Sequence, residues 1–230
     1  MQLPGYHIIH SEDGSDSVGI NGTNISFHST RGAFTESMQV FIENGLKYYL
    51  ELHQPAQLNM LEIGFGTGLN ALLTAQVLSG RNLQTRYTSI DRYPLPDTVY
   101  SRLNYEAFTH DSGLYQQLMA APWNAEVRIS EQLLVQKIRA DLLEYQPGNV
   151  CDLCYFDAFA PDDQPELWTP GAFEMIRNHM REGSVLVTYC SKSSVRKTLA
   201  AAGFRVEKLK GPPGKREVVR AIATSGPSGN

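Results

Sequence analysis

The chain of 230 residues is 42% hydrophobic and 19% charged with a net charge of −4, which suits a soluble α/β domain with an extension, or two small domains, and by itself argues weakly against a nucleic-acid partner. No run approaches the roughly 18 unbroken apolar residues of a membrane helix, and the start MQLPGYHIIHSEDGSDS lacks the basic head and apolar core of a secretory leader. Three cysteines, Cys151, Cys154 and Cys190, cannot all pair within the chain, so a reduced, cytoplasmic compartment is expected.

Residues 5–28 hold two short β-like pieces, Tyr6–Ile9 and Asn24–His28, separated by a polar Gly/Asn/Ser/Asp run that reads as turns. Ser29 or Thr30 is placed to cap a helix predicted over about 33–52, where Phe34, Met38, Phe41, Ile42 and Leu46 recur at helical spacing. Residues 1–56 therefore read as an N-terminal extension packed over a site, ahead of a main domain at 57–223 and a disordered tail at 224–230.

The rest of the chain is organised around Leu58–Ala71, LNMLEIGFGTGLNA. An apolar run reaches Glu62 and Ile63, then Gly64, Gly66 and Gly68 alternate, then Leu69–Leu73 resumes a helical pattern. This is strand, glycine turn, helix, with the positive end of the helix aimed into the crevice. The helix is predicted to end near Gly80. Thr85–Ile90 is a second strand ending at Asp91, where an acid can accept from both ribose hydroxyls of a nucleoside cofactor. Tyr93–Pro96 must be loop. A helix over 112–121, capped by Asp111, precedes strands at Glu126–Ser130 and Leu133–Ile138. Asp141 follows, either as an N-cap or as a receiver for an adenine amino group. Val150–Phe156 is a buried fourth strand. Its Cys151 and Cys154 are expected on opposite faces as inert thiols, since no second ligand pair stands nearby and no metal site is expected. The strand ends at Asp157, which the topology of an open α/β sheet brings into one crevice with Glu62 and Asp91. A helix at 171–181, a strand at Ser184–Tyr189, a helix at 193–202 and a hairpin of Phe204–Leu209 with Glu217–Ala223 complete the chain. Charge is uneven. Residues 1–191 carry 11 Lys/Arg against 22 Asp/Glu, and residues 192–230 carry 9 against 2. Such a basic end is either a phosphate-binding face or a solvated surface.

The glycine spacing separates two cofactor readings. A dinucleotide fingerprint is G-x-G-x-x-G. Here the pattern is G-x-G-x-G with Glu62 two residues ahead, which resembles the first motif of Rossmann-like S-adenosylmethionine (SAM) methyltransferases. The fold class is therefore α/β, a mostly parallel twisted sheet with a C-terminal antiparallel hairpin and an N-terminal β-hairpin and helix. A narrower resemblance is carried by 27–46 (FHSTRGAFTESMQVFIENGL), 61–70 (LEIGFGTGLN), 89–95 (SIDRYPL), 157–168 (DAFAPDDQPELW), 195–204 (VRKTLAAAGF) and 214–220 (GKREVVR). Together these are similar to the methyltransferase half of the bifunctional MnmC family and its stand-alone MnmD-type relatives, which finish 5-methylaminomethyl-2-thiouridine at the tRNA wobble position. Gln164, Leu167 and Val218 depart from the usual Asn, Met and Met. The chain is too short to include the flavin-dependent oxidase half.

The resemblance implies SAM as cofactor, held by Glu62, Gly64, Phe65, Gly66, Thr67, Gly68, Asn70, Asp91, Arg92, Asp141 and Asp157. It implies Asp157 as the group that orients the acceptor amine and takes its proton. It implies a tRNA anticodon stem-loop as partner, with Phe159 and Trp168 stacking on the uridine. Glu36 and Tyr189 would line the pocket, and Lys192, Arg196, Lys197, Lys215 and Arg216 would meet phosphates. It also implies a link to the enzyme that makes the aminomethyl precursor. A small-molecule amine methyltransferase or polyamine-synthase-like enzyme on the same fold is the competing reading, and a binding module without turnover is a third.

Overall fold

The computed structural model describes residues 5–109, 112–145 and 148–225. The cap assigned to Asp111 and the tail from residue 226 onward lie outside them. β1 (Tyr6–His10) and β2 (Asp16–Ile20) form an antiparallel two-stranded sheet with Tyr6 opposite Ile20 and His10 opposite Asp16. The second strand is thus the polar run that reads as turns, not Asn24–His28. Its polar groups can be buried because each finds a partner. Asp16 and Asn104 exchange two backbone-to-side-chain bonds at 2.9 and 3.0 Å, and His10 Nδ1 lies 2.6 Å from Asp16 Oδ1. The predicted piece survives as a single bridge from Ser26 to Gly19.

The predicted long helix is one unbroken rod of three parts: α1 (Ala33–Ser37), a π-helical stretch Met38–Lys47, and α2 (Tyr48–His53). Its N-cap is Gly32, and neither Ser29 nor Thr30 caps it. The hairpin loop supplies the acceptors instead. Ala33, Phe34 and Thr35 donate their N–H groups to Ser11 Oγ, Ser15 Oγ and Asp13 Oδ2 at 3.3, 2.9 and 2.9 Å. This satisfies three of the four donors that a helix start leaves open. At Gly45 the rod touches the sheet: a Cβ there would lie 2.9 Å from Val187 Cγ2.

The remaining elements follow in order: β3 (Gln57–Ile63), α3 (Leu69–Leu78), β4 (Gln84–Ile90), α4 (Asp97–Tyr100), α5 (Leu114–Ala120), β5 (Glu126–Arg128), β6 (Leu133–Ile138), β7 (Cys151–Phe156), α6 (Pro170–Asn178), β8 (Met180–Thr188), α7 (Ser193–Ala201), β9 (Phe204–Lys210) and β10 (Glu217–Ala223). They build an eight-stranded sheet in the order β5-β6-β4-β3-β7-β8-β10-β9. Strands β6, β4, β3, β7 and β8 are parallel, β10 runs against both β8 and β9, and β5 runs against β6. The mostly parallel sheet and the C-terminal hairpin are as expected.

Both faces are covered, which parallel sheets require. Met60, Tyr87, Val135, Leu153, Tyr155 and Val187 pack with the rod, α3 and α5. Leu61, Ile63, Ile90, Phe156 and Leu186 pack with Phe173 and Ile176 of α6 and Val195 and Leu199 of α7. Cys151 and Cys154 both belong to this second core, not to opposite faces, because the register shifts between Cys151 and Leu153. Both thiols are buried, and burial holds their protons on. From β3 the chain moves to β4 and β6 on one side, then crosses to β7 and β8 on the other. The switch point between β3 and β7 opens a crevice beyond their carboxyl ends.

Candidate active site

The glycine loop closes that switch point. Gly64, Gly66 and Gly68 have φ of +89°, +51° and +76°, conformations that a side chain strains. Gly64 also permits contact between the two strand ends, since a Cβ on it would lie 2.6 Å from the Asp157 carbonyl oxygen. Asp157 N–H in turn donates to Ile63 O at 2.9 Å. Phe65 and Thr67 tie the loop to its aromatic neighbours. The Phe65 ring meets Trp123 edge-on at 5.7 Å, and Tyr105 and Tyr115 donate their hydroxyls to Thr67 Oγ1 and O at 3.1 and 2.9 Å. Neither tyrosine is marked by spacing or motif.

Glu62, Asn70 and Asp157 form one buried network. Asn70 Nδ2 donates to Glu62 Oε1 at 3.2 Å and to Asp157 Oδ2 at 2.8 Å, and Ser89 Oγ donates to Glu62 Oε2 at 2.7 Å. Asn70 Oδ1 is buried without a partner among the described residues, an acceptor left for something else. Burial raises Glu62 to about 8, against the bonds from Ser89 and Asn70. Burial, and next the charge of Glu36, raise Asp157 to about 7, while Asn70 and Lys215 oppose the shift. Asp91 accepts from Gly66 N at 3.0 Å and Tyr93 N at 2.8 Å, and burial raises it despite those bonds. Arg92 Nη1 pairs with Asp141 Oδ2 at 2.6 Å, and Asp141 Oδ1 caps the turn after it by accepting from Leu143 N at 3.0 Å. The N-cap reading of Asp141 thus describes the fold, with an ion pair added to it.

The opposite wall comes from the N-terminal segment and the C-terminal half. Phe27 lies against Gly66 and meets Phe159 edge-on at 5.1 Å. Glu36 is buried, accepts from Ser29 N at 2.8 Å, and pairs with Lys215. Lys215 Nζ stands 4.0 Å from the centre of the Tyr189 ring, whose hydroxyl donates to Ala158 O at 2.9 Å. His28 sits among these charges, and burial pulls it down to about 4. Phe27 and His28 fall inside the quoted 27–46 stretch but carry no chemical signal of their own there.

Two expected roles change. Trp168 is 6% exposed, packed on Phe156, Phe173 and Tyr189, with Nε1–H donated to Phe159 O at 2.8 Å. A base has little indole face to stack on, and Trp168 instead fixes the loop that presents Phe159. Lys215 is turned inward onto Glu36 and so is not a phosphate cation in this conformation. Lys192 pairs with the exposed Asp162 at 2.6 Å. Arg196, with Tyr189, Lys192, Lys215 and Arg216, lines a cleft of about 440 Å³ at the basic end. Lys197 is exposed on α7 beside it.

Three glycines that a Cβ would crowd, a ring of carboxyls and an unused buried acceptor fit a small cationic nucleoside cofactor. Sequence comparison decides which. A family described as S-adenosyl-L-methionine-dependent methyltransferase matches residues 110–224, half of the chain. The chain belongs to this family. It is an enzyme that uses SAM, and the G-x-G-x-G reading holds against the dinucleotide one. The chain is 29% identical to the tRNA 5-methylaminomethyl-2-thiouridine biosynthesis bifunctional protein MnmC of Pseudoalteromonas atlantica, over 96% of this chain and 34% of that protein. It is 29% identical to the protein of the same name from Aeromonas salmonicida, over 80% of this chain and 30% of that one. It thus spans about a third of the length of these curated relatives. Among solved structures, MNMC2 from Aquifex aeolicus superposes with a TM-score of 0.80 at 24% identity, covering 98% of this chain and 72% of that one. Spermidine synthase from Thermotoga maritima superposes at 0.61 and 13%, covering 98% and 71%. Both establish the fold of this methyltransferase. Among the described residues no helix is long and apolar enough to cross a membrane, and no His/Cys/Asp/Glu group is arranged to hold a metal ion.

Proposed function

We propose that this methyltransferase acts on tRNA, methylating the primary amine of 5-aminomethyl-(2-thio)uridine at the wobble position. The observation that carries the reading is Asp157. It stands where the glycine loop, the Phe159 loop and the wall of the basic cleft meet, joined to the first by Asn70 and to the last by the field of Lys215. The names of the relatives support the substrate.

When bound, SAM supplies a methyl carbon already activated by its sulfonium. The protein's task is then mainly alignment and proton handling. The glycine loop and Glu62, Asn70 and Asp91 hold the cofactor, with Arg92 and Asp141 closing the side beyond β4. Asp157 orients the amine through the oxygen that Asn70 leaves free, since Asn70 holds Oδ2. The amine must react as a free base, because an ammonium has no lone pair. A carboxylate beside it stabilises the ammonium, but a carboxyl raised to about 7 is also a serviceable proton acceptor near neutral pH. Phe159 presents a ring for the base, and Arg196, Lys197 and Arg216 take phosphates. The N-terminal segment closes the site through Phe27 and Glu36. Such an enzyme works in the cytoplasm, downstream of one that installs the aminomethyl group.

The test is methyl transfer from labelled SAM to tRNA from cells lacking this protein, read by nucleoside mass spectrometry. A 5-methylaminomethyl-(2-thio)uridine peak is expected. SAM binding with no methylated nucleoside would overturn the tRNA reading in favour of a small-molecule amine acceptor.

A further inference from the structure

Lys215 differs from the other cations of the basic end. Its head group points inward, onto a buried carboxylate and an aromatic face. The turn that carries it is built for that pose. Gly214 has φ of +86° and packs on Arg31, and Gly211 lies so close that a Cβ would sit 2.3 Å from Lys215 O. Lys215 N–H closes the turn onto Pro212 O at 2.9 Å. On the receiving side, one Glu36 oxygen is fixed by Ser29 N–H, which leaves the other for Lys215. Tyr189 is fixed through its hydroxyl.

A buried carboxylate and a ring face form a receptor for a primary ammonium, and Lys215 fills it with one. The titratable groups around it are Asp157 at the end of β7, His28 before α1 and Cys190 after β8, the last two kept neutral by burial, with Arg31 against Gly214 and the Lys192–Asp162 pair at the rim. The buried carboxylate of Glu36, with Asp157 near enough to feel its charge, gives this pocket a local field that suits a cationic amine. Yet Lys215 also lines the basic cleft beside Arg196 and Arg216, where an anion would draw it outward.

We propose that Glu36 and Tyr189 form the recognition site for the substrate's amine, and that Lys215 occupies this site until a phosphate in the basic cleft draws its side chain away. This rests on the proposed function for the identity of the amine. The step is an exchange of cations. Emptying the site would leave Glu36 buried and unpaired, which is costly, so Lys215 leaves only as the incoming ammonium arrives, and that ammonium then gives its proton to Asp157 before the nitrogen takes the methyl group. A free amine competes with a tethered one at an effective concentration on the order of millimolar or more. An amine attached to phosphates does not, because it brings the anion that holds Lys215 elsewhere. The device therefore makes the enzyme selective for nucleic acid over nucleoside.

The probe is 5-aminomethyluridine nucleoside, compared with substrate tRNA in steady-state kinetics. For Lys215→Ala we expect KM for the nucleoside to fall about tenfold and KM for tRNA to rise, two changes of opposite sign. Adding Glu36→Gln should abolish the gain for the nucleoside. A structural role for Lys215 predicts that both substrates worsen, and a plain phosphate contact predicts an unchanged nucleoside KM; either overturns the proposal, as does a gain that survives Glu36→Gln. Lys215→Gln, neutral but similar in reach, replaces the alanine variant if thermal melting shows that one to be unfolded. Calorimetric binding of the nucleoside to protein saturated with S-adenosylhomocysteine reads the same order of affinities without turnover. Failure of the proposed function looks different, since wild type then leaves the wobble uridine unmethylated. The exchange alone fails if wild type methylates tRNA and the two KM values do not diverge.

Discussion

At Asp157, burial and the charge of Glu36 hold the carboxyl at about 7. In the proposed mechanism its ionised form accepts the amine's proton, so kcat for methyl transfer should rise as pH increases through about 7. In Asp157→Asn that acid limb should vanish and kcat fall by about 10²-fold or more, with SAM affinity retained; a pH–rate profile beside a calorimetric titration reads both. Glu62 shows the opposite bargain between stability and function. Its folded value of about 8 lies above the unfolded 4.5, so the native state binds the extra proton. Stability is therefore lost as pH rises through that window. Glu62→Gln removes the titration. The cofactor-free variant should melt about 2–4 °C above wild type at pH 8, corresponding to about 1 kcal/mol, and show no such gain at pH 5. Its SAM affinity should fall.

Among the elements, the rod from α1 to α2 depends on a loop some twenty residues upstream. Asp13 is the main contact: burial works against its charge, but bonds from Ser15 and Thr35 prevail and bring it down to about 2. The contribution of this depressed carboxyl is present above the unfolded value of 3.8 and lost as pH falls through about 2. Asp13→Ala should cost about 1–2 kcal/mol, the range for a lost cap, measured by urea denaturation at neutral pH. The rod's extent was legible from its apolar repeat. Its cap was not, because Ser29 and Thr30 are the plausible local residues while the real acceptors come from another element. β2 is not legible in the sequence for a related reason. A strand written in Asp, Ser and Gly carries no hydrophobic alternation, and only partners such as Asn104 make its burial tolerable.

Across the whole molecule, the proposed function assigns the two ligands to the acidic body and the basic end: a cationic cofactor to the carboxyl-lined crevice, a polyanion to the cleft beside it. The triple variant Arg196→Ala, Lys197→Ala, Arg216→Ala should weaken tRNA binding and flatten its salt dependence, lowering the slope of log K against log salt by about one per phosphate contact removed. Filter binding across a salt series checks this, and an unchanged slope would remove the basic end from the interface. Local pattern determined the parts of this protein that are local in origin. The strand–glycine–helix unit, the strand-end acids Glu62, Asp91 and Asp157, the sheet class and the cofactor class all follow from residues within a few positions of one another. The tertiary structure alone decided how distant groups share a charge or a surface. Asn70 joins two strand ends, Lys215 crosses to Glu36, Trp168 turns into the core and Cys151 joins Cys154 on one face. Pairing energies and burial depend on which atoms meet in space, and sequence spacing carries no record of a meeting between residues that lie up to 179 positions apart.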